Sequence, residues 1–335
     1  MQQMRAPWAG LARCAPRVDL WPVLRRLGEH AAAAPRERWV AAGFPIGWIS
    51  ALDEGPWPCA AVTAGSAQWP ASLTDLPAGP VALSYEGDLS LLQRPGVALI
   101  GARACTTYGR DNAARLAGAV AAAGAVVVSG LARGIDIAAH DAAPGATVAV
   151  LGQGLHVAMP AWQARVRGRL LDAGGLVLSE FPPDLPASLY TFPIRNRIVA
   201  GLARATVVIE AGHRSGTKNT VAHALGYGRE VLALPGPIHA DASAGCLDLI
   251  EQGAGVVRGP ATVLAAAGLT LPVVGPVGDD PEAKVYAALS LVSTPEDIAV
   301  RTGLAPRDVT LYLGALEVQG RVVRQAGRRY IARPG

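Results

Sequence analysis

Short apolar segments alternate with helical segments from residue 97 to residue 234, and this alternation constrains the fold more than any other feature. The apolar segments are continuous runs, which is typical of parallel strands covered on both faces of a sheet. Repeated strand–helix pairs predict a doubly wound α/β domain with a mostly parallel sheet. We predict strands at 97–100, 126–129, 147–151, 176–179, 206–210 and 230–234, with helices near 109–123, 135–143, 161–173, 196–202 and 220–226.

The regions that flank this domain differ from it in composition. Residues 1–65 carry only short helical patterns, and five prolines between residues 56 and 80 predict an irregular connector. A proline- and glycine-rich stretch at 269–281 is typical of a linker. We therefore predict an N-terminal helical region at 1–65, an α/β domain at 66–268, the linker, and a small C-terminal module at 282–335.

The C-terminal module has the pattern of a winged helix. Thr294 followed by Pro295 predicts an N-cap and a first helical position. Gly303 predicts a tight turn before a second helix at 306–319, and a hairpin is predicted around Gly327. The order helix, turn, helix and hairpin predicts a winged helix-turn-helix unit.

Composition excludes several classes of protein. Apolar residues make up 51% of the 335 residues and charged residues 17%, which excludes an intrinsically disordered chain. The four cysteines form no C-x-x-C pair, so neither a zinc site nor a disulfide framework is expected. No apolar run is long enough to span a membrane, so we expect a cytoplasmic protein without membrane contact. The net charge of +4 is too small to indicate nucleic-acid binding by itself.

Glycine and polar residues follow nearly every predicted strand. In an open parallel sheet, ligands bind beyond the carboxyl ends of the strands. Glycine lets backbone N–H groups approach an anion, and helix N-termini add partial positive charge. The sequence contains neither a Walker A motif nor G-x-G-x-x-G, so it favours a phosphate site without ATP hydrolysis or a dinucleotide cofactor.

Four arginines are candidates for this phosphate site. Arg195 and Arg197 flank Asn196 at the predicted start of a helix, where two cations oppose the helix dipole. Either they bind phosphate, or they pair with an internal carboxylate among Glu180, Glu210 and Asp136. Arg103 and Arg133 occupy comparable loops after the first two strands of the series.

Two other groups have both a catalytic and a structural interpretation. Asp136 and His140 lie one helical turn apart, so they suit a metal or acid–base pair, or a structural Asp–His hydrogen bond. No third ligand has a recognisable spacing, so no metal is expected. Glu210 is either a general base for N-glycoside chemistry or a carboxylate that caps a loop.

Taken together, these motifs resemble DNA-processing protein A (the DprA/Smf family), from about Trp69 to Ala267. The matching segments, in chain order, are Gly101-Ala102-Arg103, Thr106, Tyr108-Gly109, Ser129-Gly130, Gly134-Ile135-Asp136, Ala139-His140, Ser179-Glu180, Phe192-Pro193, Arg195-Asn196-Arg197, Glu210-Ala211, Ser215-Gly216-Thr217 and Pro235-Gly236.

The resemblance implies an extended Rossmann-like fold that binds single-stranded DNA without catalysis or cofactor. It also implies loading of the RecA recombinase onto DNA coated by single-strand-binding protein during natural transformation, and a homodimer. The residues expected at the DNA are those on the loops after the strands, namely Arg103, Thr106, Tyr108, Gly109, Ser129, Gly130, Arg133, Gly134, Asp136, His140, Phe192, Arg195, Asn196, Arg197, Ser215, Gly216, Thr217 and Lys218.

An enzymatic function is the competing hypothesis. The same sheet edge suits a nucleotide, and Glu210 is the nearest candidate base for cleaving an N-glycosidic bond. The related lysine-decarboxylase-like nucleotide hydrolases use a P-G-G-x-G-T loop, whereas this chain has Arg214-Ser215-Gly216-Thr217 there. Turnover of a nucleotide, lost on Glu210→Gln, would distinguish the enzyme from the binding protein.

Overall fold

The computed structural model describes residues 3–4, 23, 36–43, 57–74, 76–213, 215–270, 280–289, 293–325 and 329–332. The chain divides into two compact units, Met1–Leu271 and Pro272–Gly335. Among the helices described, none is both long and apolar enough to cross a membrane.

The first unit is built on one sheet, to which ten strands of the described residues contribute. The strands are β1 (Gln3–Met4), β2 (Trp57–Thr63), β3 (Ala82–Gly87), β4 (Gly96–Ile100), β5 (Val126–Ser129), β6 (Thr147–Val150), β7 (Leu176–Ser179), β8 (Ala203–Val208), β9 (Glu230–Ala233) and β10 (Gly255–Val256). Their spatial order in the sheet is β1-β2-β3-β7-β6-β5-β4-β8-β9-β10. The strands from β7 to β10 in this spatial order are parallel, whereas β1, β2 and β3 pair antiparallel at one side of the sheet.

Helices connect the strands and cover both faces of the sheet. The helices are α1 (Arg36–Ala41), α2 (Thr107–Ala122), α3 (Ile135–Asp141), α4 (Ala161–Asp172), α5 (Thr191–Leu202), α6 (Thr217–Gly226), α7 (Asp241–Glu251) and α8 (Pro260–Ala266), with 3-10 turns at 71–73 and 89–93. Along β4, Val97 and Leu99 belong to a buried cluster with α2, α3 and α8, while Ala98 and Ile100 belong to another with α5, α6 and α7. Continuous apolar strands are required for this double coverage.

The second unit contains three helices and a hairpin in its described residues. They are α9 (Pro281–Ala288), α10 (Pro295–Thr302), α11 (Pro306–Val318), β11 (Val322–Gln325) and β12 (Arg329–Ala332). Thr294 caps α10 in a capping box with Asp297, and Gly303 ends the helix with φ of 72°. Both features confirm the boundaries predicted for this helix. The predicted turn at Gly327 lies outside the described residues.

The structure confirms the predicted doubly wound fold. The sequence patterns had located the parallel strands of 97–234 to within about three residues. Other expectations were wrong. The proline-rich connector contains β2, which joins the sheet ahead of residue 66. Helix α5 begins at Thr191 rather than 196, because Pro193 lies in the first turn, where no backbone N–H is needed. Helices α7, α8 and α9 were not predicted.

Candidate nucleic-acid interface

The candidate site lies at the carboxyl edge of the parallel strands. Connections from β4 run through β5 and β6 to β7 on one side, while β8 and β9 continue on the other side of β4. The chain order therefore reverses between β4 and β8, which is where open α/β sheets bind ligands. The predicted site residues lie on the loops after β4, β5 and β8, on the helices that follow these loops, and on α5.

The first loop is held by an internal carboxylate. Glu210, which follows β8, accepts hydrogen bonds from the Thr106 N–H at 2.9 Å and from the Thr106 hydroxyl. Thr106 in turn accepts from the Gly109 N–H and caps α2. A Cβ at Gly109 would overlap the Glu210 carboxylate. The structural interpretation of Glu210 as a loop-capping carboxylate is therefore confirmed.

The second loop packs closely against the backbone of the first. Asp136 accepts from the N–H groups of Gly130 at 3.0 Å and Ala132 at 3.2 Å, which folds the loop over the start of α3. Gly134 has φ of 80°, and a Cβ there would overlap the carbonyl oxygen of Ala102. Burial raises the pKa of the Asp136 carboxyl, and Arg195 and the two N–H donors oppose that rise.

Arg195 lies beneath these loops as a buried cation. It donates to the carbonyl oxygen of Gly130 at 2.7 Å and to that of Val150, and its Nε donates to Asn196 at 3.1 Å. Burial lowers its pKa to about 10; Asp136 opposes this decrease and the like charge of Arg103 adds to it. Arg195 therefore remains charged at neutral pH and supplies positive potential from below the surface.

Arg197 forms the internal ion pair that was the alternative to phosphate binding. Its guanidinium donates to the Glu180 carboxylate, and both side chains are buried. Helix α5 starts one turn earlier than predicted, so neither Arg195 nor Arg197 belongs to its first turn. The helix-dipole argument for these two residues was therefore wrong.

Two exposed arginines lie over aromatic rings at the same edge. The Arg103 guanidinium carbon is 5.4 Å from the centroid of the Phe192 ring, and that of Arg133 is 4.8 Å from the centroid of Trp162. Neither arginine forms an ion pair with any described residue. Sequence reasoning missed Trp162, although its position at the start of α4 was a detectable signal.

His140 has a structural role that differs from both sequence hypotheses. Its Nδ1 lies 2.6 Å from the Thr147 hydroxyl, so the expected Asp136–His140 hydrogen bond was wrong. Burial, together with the charge of Arg195, lowers the pKa of His140 to about 3, so the ring is neutral. In the part of the chain that the structure describes, no cluster of three or more His, Cys, Asp or Glu residues is arranged to hold a metal.

The other predicted residues divide by exposure. Ser129 is fully buried and donates to the Leu99 carbonyl oxygen at 2.6 Å. Asp136, His140 and Arg197 are also buried, so the structure places these four predicted side chains below the surface of the site. Thr217 is buried too and donates to Ser215 at 3.0 Å. The exposed or half-buried members are Arg103, Thr106, Tyr108, Gly130, Arg133, Gly134, Phe192, Asn196, Ser215, Gly216 and Lys218.

Two exposed residues near this edge had not been predicted. Leu189 and Tyr190 are 87% and 81% exposed, and they directly precede α5. The tyrosine stands two residues from Phe192, the ring beneath Arg103. In the sequence, Tyr190 is an aromatic residue in a polar, proline-containing loop. Such a residue is either exposed or part of the core, and only the structure shows that it is exposed.

The fold and this edge together define the class: Rossmann-like α/β proteins that carry a winged helix unit. Within that class, the chain belongs to the DNA recombination-mediator protein A family, whose model matches residues 60–268. A model of the DprA winged helix domain matches residues 265–328.

Curated relatives extend this assignment. Protein Smf of Escherichia coli strain K12 is 43% identical over 206 residues, which cover 61% of this chain and 55% of the relative. The matched region thus spans only about half of that protein. A putative DNA processing protein DprA of Mycobacterium tuberculosis is 36% identical over 363 residues, covering 98% of this chain and 91% of the relative.

Solved structures share the fold. DNA processing protein A of Streptococcus pneumoniae superposes with a TM-score of 0.64 at 31% identity, covering 78% of this chain and 98% of that one. DNA processing protein A of Helicobacter pylori, studied for its single-stranded DNA binding mode, superposes with a TM-score of 0.56 at 29% identity. That match covers 63% of this chain and 95% of the other.

Proposed function

We propose that the protein binds single-stranded DNA at the carboxyl edge of its sheet. The observation that carries the proposal is the pair of exposed guanidinium–aromatic contacts, Arg103 over Phe192 and Arg133 over Trp162. A single strand offers both phosphates and unstacked bases. Arginine binds the first and aromatic rings stack on the second, so this pairing suits a single strand better than a duplex.

The loops contribute backbone donors and close packing. Gly130, Gly134 and Gly216 expose backbone without a side chain, and Gly216 and Lys218 lie at the start of α6, where the helix dipole favours an anion. Phosphate contacts therefore carry most of the affinity and depend on salt, whereas the aromatic contacts depend on it much less.

Buried charges support this surface from below. Arg195 and Asp136 fix the loop at 130–134, and the Arg197–Glu180 pair anchors α5, which carries Phe192. Arg195 also adds positive potential under Arg103. We therefore assign these buried residues to shaping and charging the surface.

The cellular role that we propose is loading of the RecA recombinase onto single strands coated by single-strand-binding protein, in transformation or recombination. Membership of the DNA recombination-mediator protein A family supports it. We likewise propose a cytoplasmic homodimer. We expect the protein to restore RecA-dependent strand exchange on single strands coated by single-strand-binding protein. If the protein does not stimulate strand exchange, the loading role is refuted, while the proposed DNA binding is unaffected.

Binding without catalysis is part of the proposal. Glu210, the candidate base, is 4% exposed and accepts two hydrogen bonds from Thr106. The residue therefore has a structural task at the start of α2. No observation favours the N-glycosidic alternative.

Charge reversal tests the site. We expect Arg103→Glu with Arg133→Glu to weaken binding of a 15-nucleotide single strand by at least about tenfold, because two phosphate contacts become repulsive. Arg204→Glu is the matched control: Arg204 is exposed but lies at the amino end of β8, on the opposite edge of the sheet. Fluorescence anisotropy measures both. Equal losses in the double variant and the control would contradict the assigned surface.

A further inference from the structure

The winged helix unit carries an apolar face that none of the contacts above uses. Leu311 and Val318 on α11 are 70% and 90% exposed, and Gly314 and Ala315 lie between them at half-buried positions. These four residues follow the spacing i, i+3, i+4 and i+7, so they form one stripe along the helix. An open groove of about 810 Å³ runs along the stripe. Contiguous exposed apolar side chains are typical of a surface that binds another molecule.

The core of the unit does not need this stripe. Val309, Leu313 and Leu316 of the same helix are fully buried and belong to the cluster that holds the unit together. A surface helix usually carries polar residues opposite its buried face. Helix α11 is instead apolar on two faces, of which its own unit buries only one.

Duplex DNA fits the stripe poorly. In helix-turn-helix units, the helix at this position is the one that enters the major groove. Here the segment from Asp308 to Val318 contains neither lysine nor arginine, and its two charged residues, Asp308 and Glu317, are acidic. Acidic residues repel phosphates, and apolar side chains offer no hydrogen bonds to base edges. A protein surface therefore suits this face better.

The order of residues in the stripe matches a second copy of the same helix. If two α11 helices lie antiparallel with Gly314 of one copy opposite Ala315 of the other, Leu311 lies opposite Val318, because both pairs share one midpoint in the sequence. Small residues at that midpoint allow the two helices to approach closely. The antiparallel direction also sets the helix dipoles in their favourable orientation.

The charges at the ends of the stripe support the same register. At the amino end, Arg307 Nε lies 3.4 Å from Asp308 Oδ1, and at the carboxyl end Arg321 Nη1 lies 3.6 Å from Glu282 Oε1. Each end therefore presents one cation and one carboxylate. The antiparallel register places Asp308 opposite Arg321 of the second copy, because this pair shares the midpoint given above. Parallel pairing would instead bring Arg307 against Arg307. The surface is thus complementary to itself, as a two-fold interface requires.

We infer that α11 pairs antiparallel with α11 of a second copy of the chain through the stripe from Leu311 to Val318. The inference rests on the proposed homodimer and adds a surface through which copies associate. One helix pair buries less than the roughly 1,600 Å² of a standard protein–protein interface, so this pairing depends on protein concentration.

Oxidative cross-linking of the full-length protein tests the pairing. Ala315→Cys places a thiol beside the midpoint, so two copies are expected to form a disulfide-linked dimer under mild oxidation. Val300→Cys is the matched control, because Val300 is 87% exposed in the same unit but lies on α10, outside the stripe. Wild-type protein, with its four cysteines, gives the background. Equal cross-linking of both variants, or none above background for Ala315→Cys, would overturn the inference.

Charge substitution tests the same face without a covalent bond. Leu311→Glu with Val318→Glu is expected to weaken self-association at least about tenfold, because the pairing would bring like charges together. Val300→Glu, the control, is expected to leave it unchanged. Sedimentation equilibrium of the full-length proteins measures the effect, and circular dichroism verifies that each variant is folded. Unchanged self-association of the folded double variant would overturn the pairing.

The same measurements separate this inference from the proposed function. Equally stable dimers of wild type and double variant would overturn the α11 pairing but retain the proposed homodimer through another surface. Wild-type protein that stays monomeric at every concentration would overturn both. Binding of the 15-nucleotide single strand by the double variant is expected to be unchanged. Loss of duplex binding in the double variant, with self-association unchanged, would assign the stripe to DNA and overturn the inference.

Discussion

Arginine residues of α5 and of the loops perform different tasks in this domain. Arg195 and Arg197 are buried and bonded to protein atoms, whereas Arg103 and Arg133 are exposed and lie on aromatic rings. The sequence placed all four near one sheet edge. It did not separate the two tasks, because Arg195 donates to carbonyl groups 65 and 45 residues away in the chain, and Glu180 was only one of three candidate partners for the buried arginines.

The buried His140 makes the stability of the folded protein depend on pH. Its pKa in the folded protein is about 3, well below the ordinary value of 6.5, because the ring is buried near Arg195. The unfolded chain therefore takes up a proton as pH falls below 6.5 and the folded protein does not. Stability contributed by the neutral ring is present above that pH and is lost as pH decreases.

We expect the wild-type free energy of unfolding to decrease by roughly 1.5 kcal/mol between pH 6.5 and pH 5 through His140 alone. Urea unfolding at the two pH values measures it, with His140→Gln as the comparison, since glutamine does not titrate. An equally steep decrease in His140→Gln protein would show that other groups carry the pH dependence.

At the scale of elements, the site depends on two loops packed backbone to backbone. Gly134 has φ of 80° and leaves no room for a Cβ beside the Ala102 and Arg103 carbonyl groups. Gly174, after α4, has φ of 84° with no atom within 4 Å of the position a Cβ would occupy. The two glycines therefore share a backbone conformation but differ in their surroundings.

This pair yields a test of the loop packing. We expect Gly174→Ala to cost about 1 kcal/mol, from the positive φ alone. Gly134→Ala is expected to cost at least about 2 kcal/mol more, through the overlap, and to weaken single-strand binding because Arg103 moves. Urea unfolding and anisotropy measure these effects. Equal destabilisation by both variants would contradict close packing of the loops.

Sequence patterns predicted some elements better than others for physical reasons. Strands β4 to β7 are buried at every residue and therefore stand out as apolar runs with clear ends. Strand β8 contains the exposed Arg204, so its start was predicted three residues too late. Strand β2 starts at Trp57, contains Pro58 and lies at the antiparallel side of the sheet. Its sequence therefore resembles an irregular connector rather than a buried parallel strand. The capping box at Thr294 was recognisable because it is local.

At the scale of the whole molecule, the fold was more predictable than the site. Alternating strands and helices sufficed for a doubly wound sheet, and its carboxyl edge located the candidate loops. Contacts across that edge were not predictable. Trp162 under Arg133 and Glu210 at Thr106 each join segments far apart in sequence, so they follow only from the strand order.

The most direct test of single-strand binding is anisotropy of a labelled single strand and of the same-length duplex at a series of salt concentrations. We predict tighter binding of the single strand, with a log–log salt slope of at least about 1.4, because Arg103 and Arg133 each neutralise a phosphate and each contact contributes about 0.7. No single-strand binding at low salt, or equal affinity for the duplex, would contradict the account.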